Sequence, residues 1–161
     1  MDITLHRRGP EDLPASKFLF GLLLFVYVTA GIAATQIAQP LGRAAGIVIV
    51  DTALYVGFVY LLLALFQQSG RFLQTISALL GAETFLTLIG IPVLMLAGFE
   101  NGEVEAPNVG TWLFFLLILW SIDVAGFVLS RALKLSYFLG VLIVLVYAFS
   151  SFTLGGLLFP M

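Results

Sequence analysis

Residues 111–133 read TWLFFLLILWSIDVAGFVLSRAL, and this stretch decides the class of fold. About 20 predominantly apolar residues, rising about 1.5 Å each in a helix, cross a hydrocarbon core of about 30 Å. The run carries one carboxylate, Asp123, and still reads as a membrane span. A charged Asp at helix centre costs about 2.5–3.5 kcal/mol on insertion, while each Leu or Phe returns about 0.3–0.6, so the apolar residues Leu113 to Leu119 offset it by themselves.

Four further runs of this kind flank it, at about 17–37, 44–66, 72–99 and 137–159. The composition agrees: 61% hydrophobic residues, 10% charged residues and a mean hydropathy of +1.12 leave too few polar side chains to coat a soluble domain. Lipid tails accept such a surface. The expected fold is therefore all-α, a polytopic membrane protein with a bundle of five transmembrane helices over residues 16–161. A polar strap, residues 1–15, precedes it on the cytoplasmic side and contains Pro10 and Pro14.

The breaks between spans have chemical causes. Gln39, Pro40, Gly42 and Arg43 end the first, and Gln67, Gln68, Ser69, Gly70 and Arg71 end the second. Short connections predict antiparallel hairpins for spans one and two, two and three, and four and five. Gln67 to Thr75 mixes polar residues with Phe72 and Leu73 and predicts a short interfacial helix. Glu100 to Gly110, with three carboxylates and Pro107, predicts a loop in water. Arg131 and Lys134 argue against one merged helix across spans four and five, because both would then sit in hydrocarbon.

With the N-terminus cytoplasmic, the inner side holds Arg7, Arg8, Lys17, Arg71, Arg131 and Lys134, and the outer side only Arg43. Basic residues favour the cytoplasmic side, so the expected orientation is N-terminus in and C-terminus out. The short loops fit a bacterial inner membrane. A formal charge of −2 and a basic cluster no larger than Arg7 and Arg8 exclude a nucleic-acid partner. The expected partners are the lipid bilayer and another membrane protein or a second copy of the chain. Arg7, Arg8 and Arg71 are the candidates for partner docking.

Catalytic templates are excluded one by one. The single histidine, His6, precludes a paired-histidine zinc site within the membrane, and the absence of Cys removes thiol chemistry and thiolate metal sites. The chain contains no G-x-S-x-G elbow, phosphate-binding loop or dinucleotide-binding turn. The reading is of a non-enzyme with no catalytic residue, metal or cofactor.

Three carboxylates inside apolar spans do need an explanation: Asp51, Glu83 and Asp123. Counted from the cytoplasmic ends, Glu83 lies about 16 Å up the third helix, Asp123 about 15 Å up the fourth and Tyr147 about 15 Å up the fifth. Thr87 and Gly90 share the helical face of Glu83, and Gly126 and Ser130 that of Asp123. Glu83, Asp123 and Tyr147 are thus expected at one level and facing inward. They form a midplane site for a proton or small cation, or stay neutral and hydrogen-bonded as a structural set, or face a partner subunit. Asp51, about 10 Å from the outer end of the second span, is expected to be wetted, with Tyr55 one turn deeper and Arg43 in reach. Pro92 removes one N–H from the third helix and is the hinge candidate. Small-residue pairs such as Ser77 and Gly81, Ser121 and Ala125, and Ser151 and Gly155 allow close helix approach.

Five spans, the polar link Gly70-Arg71-Phe72-Leu73-Gln74-Thr75, Pro92 late in the third span and Arg131-Ala132-Leu133 between the last two resemble the Yip1-type membrane proteins. The resemblance covers about residues 16–159 and implies a compact non-enzymatic bundle. The long acidic N-terminal region of eukaryotic members is missing here. The first functional expectation is an integral membrane scaffold, assembly or trafficking-type factor. The alternative is a small proton- or cation-coupled transporter or channel subunit using the midplane carboxylates.

Overall fold

A computed structural model of the chain describes residues 3, 4, 6, 9–98 and 108–159. Five helices follow one another: α1 (Lys17–Thr35), α2 (Leu41–Leu65), α3 (Phe72–Ala97), α4 (Val109–Leu133) and α5 (Tyr137–Leu158). All five are long and apolar enough to cross a membrane, so the chain is an all-α membrane bundle. Arg7, Arg8 and most of the expected acidic loop lie outside the described residues.

Local chemistry sets the helix ends. Ser16 caps α1 by accepting from the Leu19 N–H at 3.2 Å. Asn108 caps α4 through its side-chain oxygen on the Thr111 N–H, and its amide donates to the Ala97 carbonyl at 3.0 Å, tying the start of α4 to the end of α3. Lys134 takes a left-handed φ of 58° and breaks α4 from α5, as its charge requires. The second helix begins earlier than expected. Pro40 is its N-cap and has no N–H to lose there, so Gly42 and Arg43 belong to the first turn of α2 and not to a break. The expected interfacial helix is also absent: a 3₁₀ turn at Ser69–Arg71 leads directly into α3.

By connectivity, the starts of α1, α3 and α5 and the ends of α2 and α4 share one face of the bundle, which carries Lys17, Arg71, Arg131 and Lys134. Arg43 stands at the opposite face, where its guanidinium donates to the Phe159 carbonyl at 2.9 Å. The dry core lies toward the basic face. Val59 and Leu63 of α2, Ile76, Leu79 and Leu80 of α3, and Val128, Leu129 and Leu133 of α4 are all buried there. The close hairpin of α4 and α5 rests on glycines: a Cβ on Gly140 would come within 2.3 Å of the Gly126 carbonyl oxygen.

The hairpin expected between α2 and α3 is not formed along its length. The central helix α3 packs chiefly against α1 and α4, while α2 touches it at few positions. Near the basic face apolar residues of both helices are buried in one core, and further along Asp51, Tyr55, Glu83 and Thr87 line open space.

Candidate functional site: an acidic cavity inside the bundle

That open space is a cavity of about 480 Å³ lined by residues of all five helices. Tyr27 comes from α1, Asp51 and Tyr55 from α2, Glu83 and Thr87 from α3, Ser121 from α4, and Tyr147 and Ser151 from α5. The remainder of the wall is apolar, including Leu86, Phe114, Leu117 and Val144. No Lys, Arg or His is among the lining residues, so nothing in the wall offsets the two carboxyl groups.

Each carboxyl group has hydroxyl donors. Ser121 Oγ lies 2.9 Å from both Glu83 oxygens and donates to them across the α3–α4 interface. Ser151 donates to Asp51 across the α2–α5 interface. Tyr147 Oη stands 3.4 Å from Asp51 Oδ1, and its ring packs against Tyr55 and Phe58 with centroids 5.1 and 4.9 Å away. Tyr55 is buried, yet neither its hydroxyl nor that of Tyr27 has a hydrogen-bond partner among the described residues.

Of the expected set, Glu83, Thr87 and Tyr147 share this cavity, but Asp123 does not. Ser121 and Asp123 are two residues apart on α4, and positions i and i+2 of a helix face nearly opposite ways. With Ser121 turned toward Glu83, Asp123 points out of the bundle core. The second acid of the cavity is Asp51. It lies ten residues beyond Leu41 in a helix of 25 residues, about 21 Å from the basic end of α2, against about 16 Å for Glu83 from the basic end of α3. α2 begins three residues before the expected Ala44, which adds about 5 Å to the distance of Asp51 from that end, and Asp51 and Arg43 line one cavity.

Asp123 has partners of a different origin. His6 Nε2 lies 3.1 Å from its Oδ2, and the Tyr137 hydroxyl donates to its other oxygen. The His6 ring stacks on Phe127 at 4.2 Å. Two residues before His6, the Thr4 carbonyl accepts from Trp120 Nε1 at 3.1 Å. Toward the basic face Gln74 donates to the Leu13 carbonyl at 2.8 Å, and Glu11 pairs with Arg131 at 2.8 Å. The N-terminal segment thus runs up the bundle beside α3 and α4. Trp120 stands thirteen residues before the end of α4, about 20 Å from it. The polar strap is thus partly covered: Thr4, Gly9 and Pro10 are buried, while Glu11, Asp12 and Pro14 are exposed. Irregular backbone at membrane depth is tolerated where protein covers it.

Arg71 is also engaged internally. Its guanidinium donates to the carbonyls of Arg131 and Ala132, both at 3.2 Å, and caps the end of α4. These bonds use one nitrogen of the guanidinium, on a side chain that is partly exposed. Pro92 sits on an exposed side of an α3 that continues unbroken to Ala97.

A second cavity of about 390 Å³ adjoins the first between α2 and α5. It shares Asp51 and Ser151 with the central one and extends to Gln39, Arg43 and Phe159 at the face opposite the basic one. No protein-family model, curated protein or solved structure matches the chain.

Proposed function

We propose that this protein is a small membrane carrier or channel subunit that moves a proton or small cation through Asp51 and Glu83. The observation carrying this reading is the central cavity, built from every helix, holding two carboxyl groups at mid-depth with no basic residue in its wall. Ionisable groups within a bilayer are costly, and those facing an internal cavity mark ion and substrate pathways. The scaffold reading loses ground, because Arg71 and the described part of the N-terminal segment make contacts within the bundle. The excess of basic residues on one face supports a cytoplasmic N-terminus, and the short connections fit a bacterial inner membrane.

Proteoliposome flux tests the proposal. Wild-type protein is expected to dissipate a proton or monovalent-cation gradient, and Glu83→Gln or Asp51→Asn to abolish this while the folded yield stays near normal. Asp123→Asn is expected to keep most of the flux. No flux from correctly folded wild-type protein, or an Asp123→Asn loss equal to that of Glu83→Gln, would refute the proposal.

A further inference from the structure

The central cavity is much larger than a proton or a bare monovalent ion requires. Sites for small organic molecules run to about 300–1,000 Å³ and combine apolar walls with a few placed polar groups; at about 480 Å³ this one falls within that range. A divalent metal is a poor fit, since it takes six or more oxygen ligands or a tight set of His and carboxylates. Among the described residues no group of three His, Asp or Glu side chains comes together to hold one.

The wall instead pairs negative charge with aromatic faces. Asp51 and Glu83 lie in it together with Tyr27, Tyr55, Tyr147 and Phe114. Carboxylates beside aromatic rings are the chemistry that recognises an organic ammonium group, by charge and by attraction of the cation to the ring face. The Tyr55 hydroxyl, on a side chain only 8% exposed and without a hydrogen-bond partner among the described residues, supplies an unused polar group in the same wall. That hydroxyl faces the open space of the cavity, and a bound N–H donor offers it a partner.

We infer that the cavity binds a small organic ammonium ion with an apolar or aromatic body, its charged nitrogen held between Asp51 and Glu83. This deepens the carrier reading above and rests on it for the identity of the cation site. Asp51 and Ser151 line both the central cavity and the adjoining one between α2 and α5.

The test is equilibrium binding to the full chain in lipid nanodiscs, with phenethylamine as probe and 2-phenylethanol, its uncharged counterpart, as comparison. Wild-type protein is expected to bind phenethylamine saturably and at least tenfold more tightly than 2-phenylethanol. Glu83→Gln and Asp51→Asn are each expected to weaken amine binding at least tenfold, whereas Asp123→Asn leaves it within about twofold. The comparison of the two probes on unmodified protein stands even where a variant fails to fold. Equal binding of both probes, or no amine binding by protein that still conducts protons, overturns the inference and leaves the carrier reading intact. Amine binding without any flux supports the inference while removing the carrier reading.

Discussion

Glu83 and Asp123 sit at nearly the same depth in neighbouring helices, yet the fold assigns them to different surroundings. Glu83 faces Ser121 inside the bundle and shares a cavity with Asp51, whereas Asp123 faces His6 and Tyr137 on the side covered by the N-terminal segment. Depth in a membrane helix is read from residue count, but partnership is decided by the angle around the axis. Two residues along α4 separate the serine that meets Glu83 from the acid that does not. The fifth helix serves both places, giving Tyr137 to Asp123 and Tyr147 with Ser151 to Asp51.

The largest effect on this contrast should come from the contact that sets the position of α5. Gly140→Leu would drive a side chain into the Gly126 carbonyl and Ser130, where even a Cβ has no room. Overpacking of a close interface costs about 1–3 kcal/mol or more. The expected outcome is loss of most monodisperse protein after detergent extraction, with Asp51 and Asp123 both deprived of their α5 partners. A variant that extracts and melts like wild type would show that the crossing is looser than described.

Ser121→Val should act on one side of the comparison only. It leaves the half-buried Glu83 without its donor within the bundle, and the cost falls toward the low end of the about 1–3 kcal/mol for an unsatisfied buried polar group. A clear fall in melting temperature is expected, with the N-terminal segment still seated. His6→Ala should do the reverse: melting changes little, since the Asp123 and His6 side chains are 38% and 34% exposed, but the segment loosens. Trp120 fluorescence reports this directly, because its indole N–H holds the Thr4 carbonyl. A red shift is expected for His6→Ala and none for Ser121→Val. The smallest effect belongs to Arg131→Ala. Its pair with Glu11 is exposed, and such pairs contribute about 0–1 kcal/mol, so no more than a marginal change in melting is expected.

Much of the architecture was legible in the residues because hydropathy over about 20 positions is a strong, one-dimensional signal. The span limits near Phe72, Leu133 and Tyr137 follow from it, as do the depths of Glu83 and Tyr147. The site was only half legible. Gly42 and Arg43 look like a break in the sequence, although a proline N-cap lets the helix start at Leu41, which puts Asp51 three residues further from that end. Tyr27 gave no signal of its own, since an isolated tyrosine in an apolar span looks like any other aromatic residue. Ser121 is marked in the sequence only by its spacing from Ala125. Rotating α4 so that this small-residue pair faced α3 would have turned Asp123 away from Glu83. The docking of the N-terminal segment had no local signature: it depends on Trp120, Phe127 and Tyr137 coming together from two helices, and spacing along the chain does not show that.

The opposite facing of Glu83 and Asp123 can be tested by cross-linking, for which the absence of native cysteine makes the chain well suited. Double variants Glu83→Cys with Ser121→Cys, and Glu83→Cys with Asp123→Cys, would be treated in native membranes with a short bifunctional thiosulfonate. Efficient cross-linking of the first pair and little of the second is the predicted result. Preferential cross-linking of the second pair would contradict the placement on which the cavity and its proposed use both depend.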